Sequence, residues 1–122
     1  MTKILIIDDE IKLRETTSEL LSIAGYDVVE AQDGLDGLEK VNQTNPDLII
    51  CDVMMPKLDG YGFIEQLKST KYSNIPVLFL TAKTELMDLE KGIALGAKAY
   101  IIKPFTFKDL KRIIEHHLKY KK

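Results

Sequence analysis

Five short apolar runs, separated by segments with helical spacing, constrain the fold of this chain more than any other feature. They comprise residues 3–7, 26–31, 47–51, 76–80 and 99–102. Most are continuous rather than alternating and rich in β-branched residues, which is typical of strands buried on both faces of a parallel sheet. After each run, apolar residues recur every three or four positions, which predicts amphipathic helices. The order βαβαβαβαβα therefore predicts an α/β fold, an open five-stranded parallel sheet with five helices on both faces.

Residues that commonly begin or end helices predict the helix boundaries. Gly25 and Gly96 are placed to end the first and fourth helices, and Asn45, followed by proline, is placed to end the second. Thr84 and Thr106 are the predicted N-caps of the fourth and fifth helices, because a hydroxyl can accept a hydrogen bond from a free N–H group of the first turn.

Length and composition indicate one globular domain. The chain has 122 residues, of which 45% are hydrophobic and 30% charged. No apolar run is long enough to span a bilayer, and the N-terminus lacks the features of a signal peptide, so we expect a cytoplasmic protein without membrane contact. Cys51 is the single cysteine and cannot form an internal disulfide. Its apolar neighbours predict a buried side chain.

Charge is unevenly distributed along the chain. Residues 1–60 carry 5 basic and 13 acidic side chains (5 − 13 = −8), whereas residues 61–122 carry 12 basic and 6 acidic ones (12 − 6 = +6). Solvated helix faces explain this pattern, and so does an acidic site formed by the first half. The basic stretch 111–122 contains few aromatic residues and the net charge is −2, which argues against direct binding of nucleic acid.

Chemically active side chains follow four of the five predicted strands. They are Asp8 and Asp9 after the first, Asp52 after the third, Thr81 after the fourth and Lys103 after the fifth. The carboxyl ends of neighbouring parallel strands form the ligand-binding edge of such sheets, so we expect these groups to converge. Three clustered carboxylates repel one another unless a hard cation such as Mg²⁺ neutralises them. Taken singly, each residue also fits a helix terminus, a turn or a solvated charge; together they predict a phosphoryl-transfer site.

The same motifs resemble the receiver domain of two-component response regulators, the CheY-like family. The matching segments are ILIIDDE (4–10), DLIICDVMMPKLDG (47–60), PVLFLTA (76–82) and GAKAYIIKPF (96–105). The resemblance extends from about Lys3 to Leu118. It implies a sheet of strand order 2-1-3-4-5 and one receiver domain over residues 1–122.

This resemblance implies a role for each acidic residue. Asp52 would accept a phosphoryl group from a phosphohistidine of a sensor histidine kinase or phosphotransfer protein. Asp9, Asp52 and the backbone carbonyl of Met54 would bind Mg²⁺ directly, while Asp8 would act through a metal-bound water. The protein would catalyse its own phosphorylation and slow dephosphorylation, and would not be a turnover enzyme.

The remaining implied roles belong to the last two strands. Thr81 would hydrogen-bond a phosphoryl oxygen after transfer, Lys103 would pair with another, and the peptide bond to Pro104 would be cis. Thr81 and Tyr100 would form a switch that reshapes the fourth helix, fifth strand and fifth helix. A downstream effector domain or protein would recognise that surface.

In the family that this chain resembles, two side chains flank the path of the water that hydrolyses the aspartyl-phosphate. Met54 and Lys83 occupy these two positions here. A thioether is a weak acceptor and orients water poorly, so we expect slow to moderate self-dephosphorylation. An inert role for Met54 is the alternative.

Three other functions use related parts. A phosphatase of the haloacid-dehalogenase kind needs a D-x-D motif after the first strand, where this chain has Asp8-Asp9-Glu10. A flavodoxin-like cofactor binder needs a phosphate loop there, and acids would repel a phosphate. A pseudo-receiver, which never accepts phosphate, would be indicated by departures at Asp52, Thr81 or Lys103, and these three residues are all retained.

Oligomeric state and context are left open by the sequence. Residues 84–122 have some resemblance to the dimerising face of winged-helix transcriptional regulators, but Lys98-Ala99 replaces an acidic pair of that face. A phosphorylation-dependent homodimer is therefore only weakly indicated. The cognate kinase, the output, and whether the chain is part of a longer protein are not specified.

Overall fold

The computed structural model describes residues 1–82 and 85–119, and within them five strands alternate with five helices. The elements are β1 (Lys3–Ile7), α1 (Ile11–Ile23), β2 (Asp27–Ala31), α2 (Gly34–Thr44), β3 (Leu48–Asp52), α3 (Gly60–Leu67), β4 (Val77–Thr81), α4 (Leu86–Ala94), β5 (Ala99–Ile102) and α5 (Phe107–Lys119). In the described part of the chain, no helix combines the length and apolar character needed to cross a bilayer.

The strands form one parallel sheet in the order β2-β1-β3-β4-β5. This confirms the expected order, and it makes β1 and β3 direct neighbours with Ile7 opposite Cys51. Two predicted strands were placed one residue too early, since β3 and β4 each extend through a polar residue, Asp52 and Thr81. Both residues remain in the ladder, opposite Leu80 and Ile102, so each is the last strand residue rather than the first loop residue.

Each face of the sheet has its own hydrophobic core. Because successive strand residues point to opposite faces, Leu5 and Ile7 enter one core while Ile4 and Ile6 enter the other. The first core packs beneath α2 and α3, and the second beneath α1 and α5. Helices therefore cover both faces, as predicted. Cys51 is fully buried in the first core, as its apolar neighbours indicated.

Most helix boundaries agree with the punctuation of the sequence. Gly25 and Gly96 have φ values of 103° and 110°, and Asn45 has a φ of 48°, so all three adopt the left-handed backbone that ends a helix. The Thr106 hydroxyl accepts a hydrogen bond of 3.1 Å from the backbone N–H three residues later, as expected for an N-cap. Thr84, the other predicted cap, lies outside the described residues.

Candidate functional site

Three carboxylates converge where β1 and β3 end. Asp52 is the last residue of β3, and Asp8 and Asp9 follow β1 directly. One oxygen from each carboxylate lies within 4.8 Å of the others. Asp8 and Asp52 are only 3% and 5% exposed, whereas Asp9 is exposed to solvent. The sheet thus brings together the acids that the sequence analysis singled out.

Lys103 enters this cluster from the end of β5. Its Nζ lies 3.3 Å from Asp52 Oδ2, 3.4 Å from Asp8 Oδ2 and 3.1 Å from Glu10 Oε2. The peptide bond between Lys103 and Pro104 is cis, as the resemblance implied. Glu10 is a contact that sequence reasoning missed; its place at the end of the acidic run was the available signal. One amine therefore faces three acids.

Thr81 completes the strand-end set. It is fully buried at the end of β4, and its carbonyl accepts a 2.8 Å hydrogen bond from the Lys103 backbone N–H. Its preceding residue, Leu80, lies opposite Asp52 in the sheet. The hydroxyl-bearing residue is therefore one strand away from the central acid.

A close approach of backbone segments fixes the start of α3 beside Asp52. A Cβ added at Gly60 would lie 2.6 Å from the Asp52 carbonyl oxygen and 2.8 Å from Val53 Cα, so only glycine fits there without displacing backbone. The Asp59 carboxylate caps the helix by accepting a 2.8 Å bond from the Gly62 N–H. The tight turn into α3 beside the site therefore rests on Gly60.

Electrostatics distinguish Asp52 from an ordinary surface acid. Burial, together with the negative charge of Asp8, raises the pKa of Asp52 to about 6 from 3.8, and Lys103 offsets only part of that rise. Burial disfavours the charged amine of Lys103, but the Asp52 and Asp8 carboxylates outweigh this effect and raise the pKa of Lys103. At neutral pH the site therefore holds crowded negative charge around one cation.

We expect Asp52→Asn to stabilise the fold in the absence of divalent cations. In the folded chain the pKa of Asp52 is about 6, against 3.8 as the ordinary value, so between these pH values the folded state binds more protons than the unfolded one. The free energy of unfolding should therefore fall as pH rises through that window. Above pH 6 the variant should gain about 1–3 kcal/mol.

Urea unfolding with a chelator at pH 5 and pH 7.5 measures this effect. Asp59→Asn is the matched control, since asparagine also caps helices and Asp59 lies outside the carboxylate cluster. If Asp52→Asn is no more stable than wild type at pH 7.5, the electrostatic explanation is wrong.

The donor set fits a hard divalent cation. It consists of three carboxylates, of which two are nearly buried and one faces solvent. Mg²⁺ favours one or two carboxylates and keeps several waters, which a half-open acidic pocket permits. Among the described residues, no hydrogen bond or ion pair engages the Asp9 carboxylate, so it is available as a ligand. Met54 has an exposed side chain, and its N–H donates a 3.4 Å bond to Asp52 Oδ1.

An aromatic cluster lies beside the site, on the face of the sheet covered by α3 and α4. Tyr100 of β5 is half-buried and meets Phe79 edge-on with ring centroids 6.2 Å apart, and Tyr61 meets Phe79 in the same way at 5.7 Å. The two tyrosine hydroxyls are 3.5 Å apart, and that of Tyr61 donates a 3.1 Å bond to the Asp88 carbonyl of α4. Tyr61 could not be predicted as a site residue from the sequence, because nothing in its motif distinguishes it from a core aromatic.

Comparison with known families agrees with this arrangement. A family model described as the response regulator receiver domain matches residues 4–115. The chain belongs to this family. A receiver domain is a signal-transduction module of two-component systems, so the phosphatase and flavodoxin-like alternatives are set aside.

Similar proteins support the assignment. Chemotaxis protein CheY4 of Vibrio cholerae superposes with a TM-score of 0.90 at 34% identity, covering 95% of this chain and 98% of that one. Protein PilG of Pseudomonas aeruginosa is 38% identical over 117 residues, which are 95% of this receiver domain and 87% of PilG.

Longer relatives match over only part of their length. The "Probable transcriptional regulator ycf27" of Porphyridium aerugineum is 44% identical over 117 residues, covering 96% of this chain and 48% of the relative. The chain thus spans about half the length of the curated relatives of this kind. In that relative the matched region is one part of a longer chain.

Proposed function

We propose that residues 1–122 form one receiver domain in which Asp52 accepts a phosphoryl group in a Mg²⁺-dependent reaction. The donor is a phosphohistidine of a sensor histidine kinase or a phosphotransfer protein. The observation that carries the proposal is the position of Asp52 within a carboxylate cluster, with the Lys103 amine 3.3 Å from its Oδ2. A nucleophile, a cation site and a fixed positive charge are the parts that phosphoryl transfer requires.

The reaction needs no general base. A carboxylate attacks as an anion. Neutral pH lies above the Asp52 pKa of about 6, so the carboxylate is mostly ionised. A bond forms between Asp52 Oδ and phosphorus, the bond from phosphorus to the histidine nitrogen breaks, and the imidazole leaves. Lys103 then pairs with one phosphoryl oxygen and Thr81 hydrogen-bonds another.

The contacts of the acids support different roles for Asp8 and Asp9 at the proposed cation site. Asp8 Oδ1 accepts a 2.9 Å bond from the Glu10 N–H, and Asp8 Oδ2 faces Lys103, so both oxygens are engaged. In our proposal Asp9, whose carboxylate has no such contact in the described part of the chain, would hold the cation together with Asp52 and the Met54 carbonyl. Asp8 would act through an intervening water, as the resemblance to receiver domains implies. When bound, Mg²⁺ neutralises the carboxylates and the charge that gathers on the phosphoryl group.

Mass spectrometry of the intact chain tests the proposal. Incubation with acetyl phosphate and Mg²⁺ should add one phosphoryl group, and a chelator should prevent it. Uptake that is unaffected by the chelator would contradict Mg²⁺ dependence, and no uptake at all would favour a pseudo-receiver.

The phosphorylated form is proposed to persist rather than turn over. Met54 is 59% exposed and offers only a thioether to an incoming water, which supports slow to moderate self-dephosphorylation. Lys83, the other residue predicted to flank that path, lies outside the described residues. The protein catalyses its own modification but is not a turnover enzyme.

The output is proposed to pass through Thr81 and Tyr100 to the surface formed by α4, β5 and α5. The phosphoryl group offers Thr81 a strong acceptor, and drawing its hydroxyl inward frees space beside β5 for Tyr100. Exposed apolar side chains support a docking role for this surface; they are Leu86, Met87, Ile93 and Ile102. The partner is a downstream effector domain or protein, or a second phosphorylated copy of the chain.

Amide spectra with and without beryllofluoride, a phosphoryl mimic, check the switch. We expect shifts at Tyr100 and along α4 in addition to those at the site. Phosphorylation biases an equilibrium by its differential affinity for the two states, so a partial shift suffices. Changes confined to Asp8, Asp52 and their immediate neighbours would refute the switch.

A further inference from the structure

Arg14 links the acidic loop to the neighbouring strand β2. Its Nη1 donates a 2.7 Å hydrogen bond to the Asp8 carbonyl oxygen, and its Nε donates a 2.9 Å bond to Glu30 Oε1. The Arg14 side chain is only 14% exposed. None of the roles proposed above for the site uses this residue.

The oxygen that Arg14 holds belongs to the peptide group joining Asp8 to Asp9. A peptide group is planar from one Cα to the next, so fixing its carbonyl fixes the plane from which both acidic side chains depart. The N–H of Asp8 is held as well, by a 3.1 Å bond to the Ala31 carbonyl. Arg14 therefore orients the segment that carries two of the three clustered carboxylates.

Asp9 depends most on this restraint. Asp8 has further contacts through both carboxylate oxygens, whereas in the described ranges 1–82 and 85–119 no hydrogen bond or ion pair holds the Asp9 carboxylate. Its direction is therefore set by the backbone that precedes it. Glu30 in turn directs the guanidinium, whose planar fork can serve two acceptors at once.

We propose that Arg14 is a positioning residue for the cation site, acting through the Asp8–Asp9 peptide group, with Glu30 orienting it. This inference rests on the proposed function, because it assumes that Asp9 is a metal ligand. Outer contacts that orient ligands are commonly worth about 10–100-fold in metal affinity.

The direction of the effect separates positioning from simple electrostatics. Arg14 is a cation near a cation site, so by Coulomb's law its removal should strengthen Mg²⁺ binding. Loss of positioning should weaken binding instead. Lysine at this position keeps the charge but offers a single ammonium, which cannot reproduce the fork between the Asp8 carbonyl and Glu30.

Calorimetric titration of the unphosphorylated chain with MgCl₂ tests the inference. Arg14→Gln and Arg14→Lys should each bind Mg²⁺ about 10-fold more weakly than wild type. Arg112→Gln is the matched control, because Arg112 is 70% exposed on α5 and pairs with Asp109, away from the site; its affinity should equal that of wild type. Thermal unfolding of each variant verifies that the fold is retained.

The outcomes are distinct. Unchanged or tighter Mg²⁺ binding by both Arg14 variants would overturn the inference and leave the proposed function standing. No Mg²⁺ binding by wild type would overturn both. If Arg14→Gln does not fold, Arg14→Lys alone decides, since it alters the geometry of the contact without changing the charge.

Discussion

Asp52→Asn should abolish phosphorylation of this chain by acetyl phosphate in the presence of Mg²⁺. The amide is neutral and its lone pairs are delocalised, so it is a far poorer nucleophile than the carboxylate it replaces. It also removes one of three clustered carboxylates, which weakens the cation site. We do not expect the other acids of the cluster to substitute, because in our proposal Asp8 and Asp9 both serve the cation site.

Intact mass and the base-lability of an acyl phosphate measure this result. Asp59→Asn should be phosphorylated like wild type, since Asp59 caps α3 and asparagine can do the same. Full uptake of phosphate by Asp52→Asn would show that another residue is the acceptor. The unfolding measurement proposed for this variant adds a check, because a gain in stability excludes loss of activity through misfolding.

Asp9→Ala should lose Mg²⁺ affinity far more than Asp8→Ala. In the first variant a direct ligand disappears; in the second, a partner that acts through a water is lost. Outer partners are commonly worth about 10–100-fold, so the loss at Asp9 should exceed that range. Calorimetry with MgCl₂ on the unphosphorylated chain compares the two variants.

Asp8→Ala also removes an anion from beside Lys103, 3.4 Å away, so its effect on stability must be followed by unfolding experiments. The reverse order, with the larger loss at Asp8, would mean that the buried carboxylate rather than the exposed one contacts the metal. It would also remove the basis for assigning Arg14 its role.

Much of the fold could be predicted because its determinants are local. Continuous β-branched runs predicted buried parallel strands, and Gly25, Asn45 and Gly96 marked helix ends by their backbone freedom. The strand order came only from the family resemblance, since no local pattern specifies which strands are neighbours. Strand ends were less certain: Asp52 and Thr81 look like loop residues by polarity, yet their backbones complete the ladder.

The site was predictable in its parts but not in its connections. Residues at the carboxyl ends of strands could be selected by position and chemistry. The contacts of Glu10 with Lys103 and of Tyr61 with Tyr100 join residues 93 and 39 positions apart, and side-chain directions over such separations depend on the assembled fold. The role of Arg14 could not be predicted for a different reason: on an amphipathic helix a polar residue normally faces solvent.

The sheet separates the two cores described above into two compartments. Tyr61, Phe79 and the half-buried Tyr100 all belong to the compartment beneath α2 and α3, while α1 and α5 are anchored in the other by residues such as Leu21 and Leu110. Close-packed interiors transmit strain to their immediate neighbours. A rearrangement of the aromatic rings is therefore borne first by the compartment that contains them. It reaches α5, on the other side of the sheet, through β5, because Tyr100 packs into one core and its neighbour Ile101 into the other.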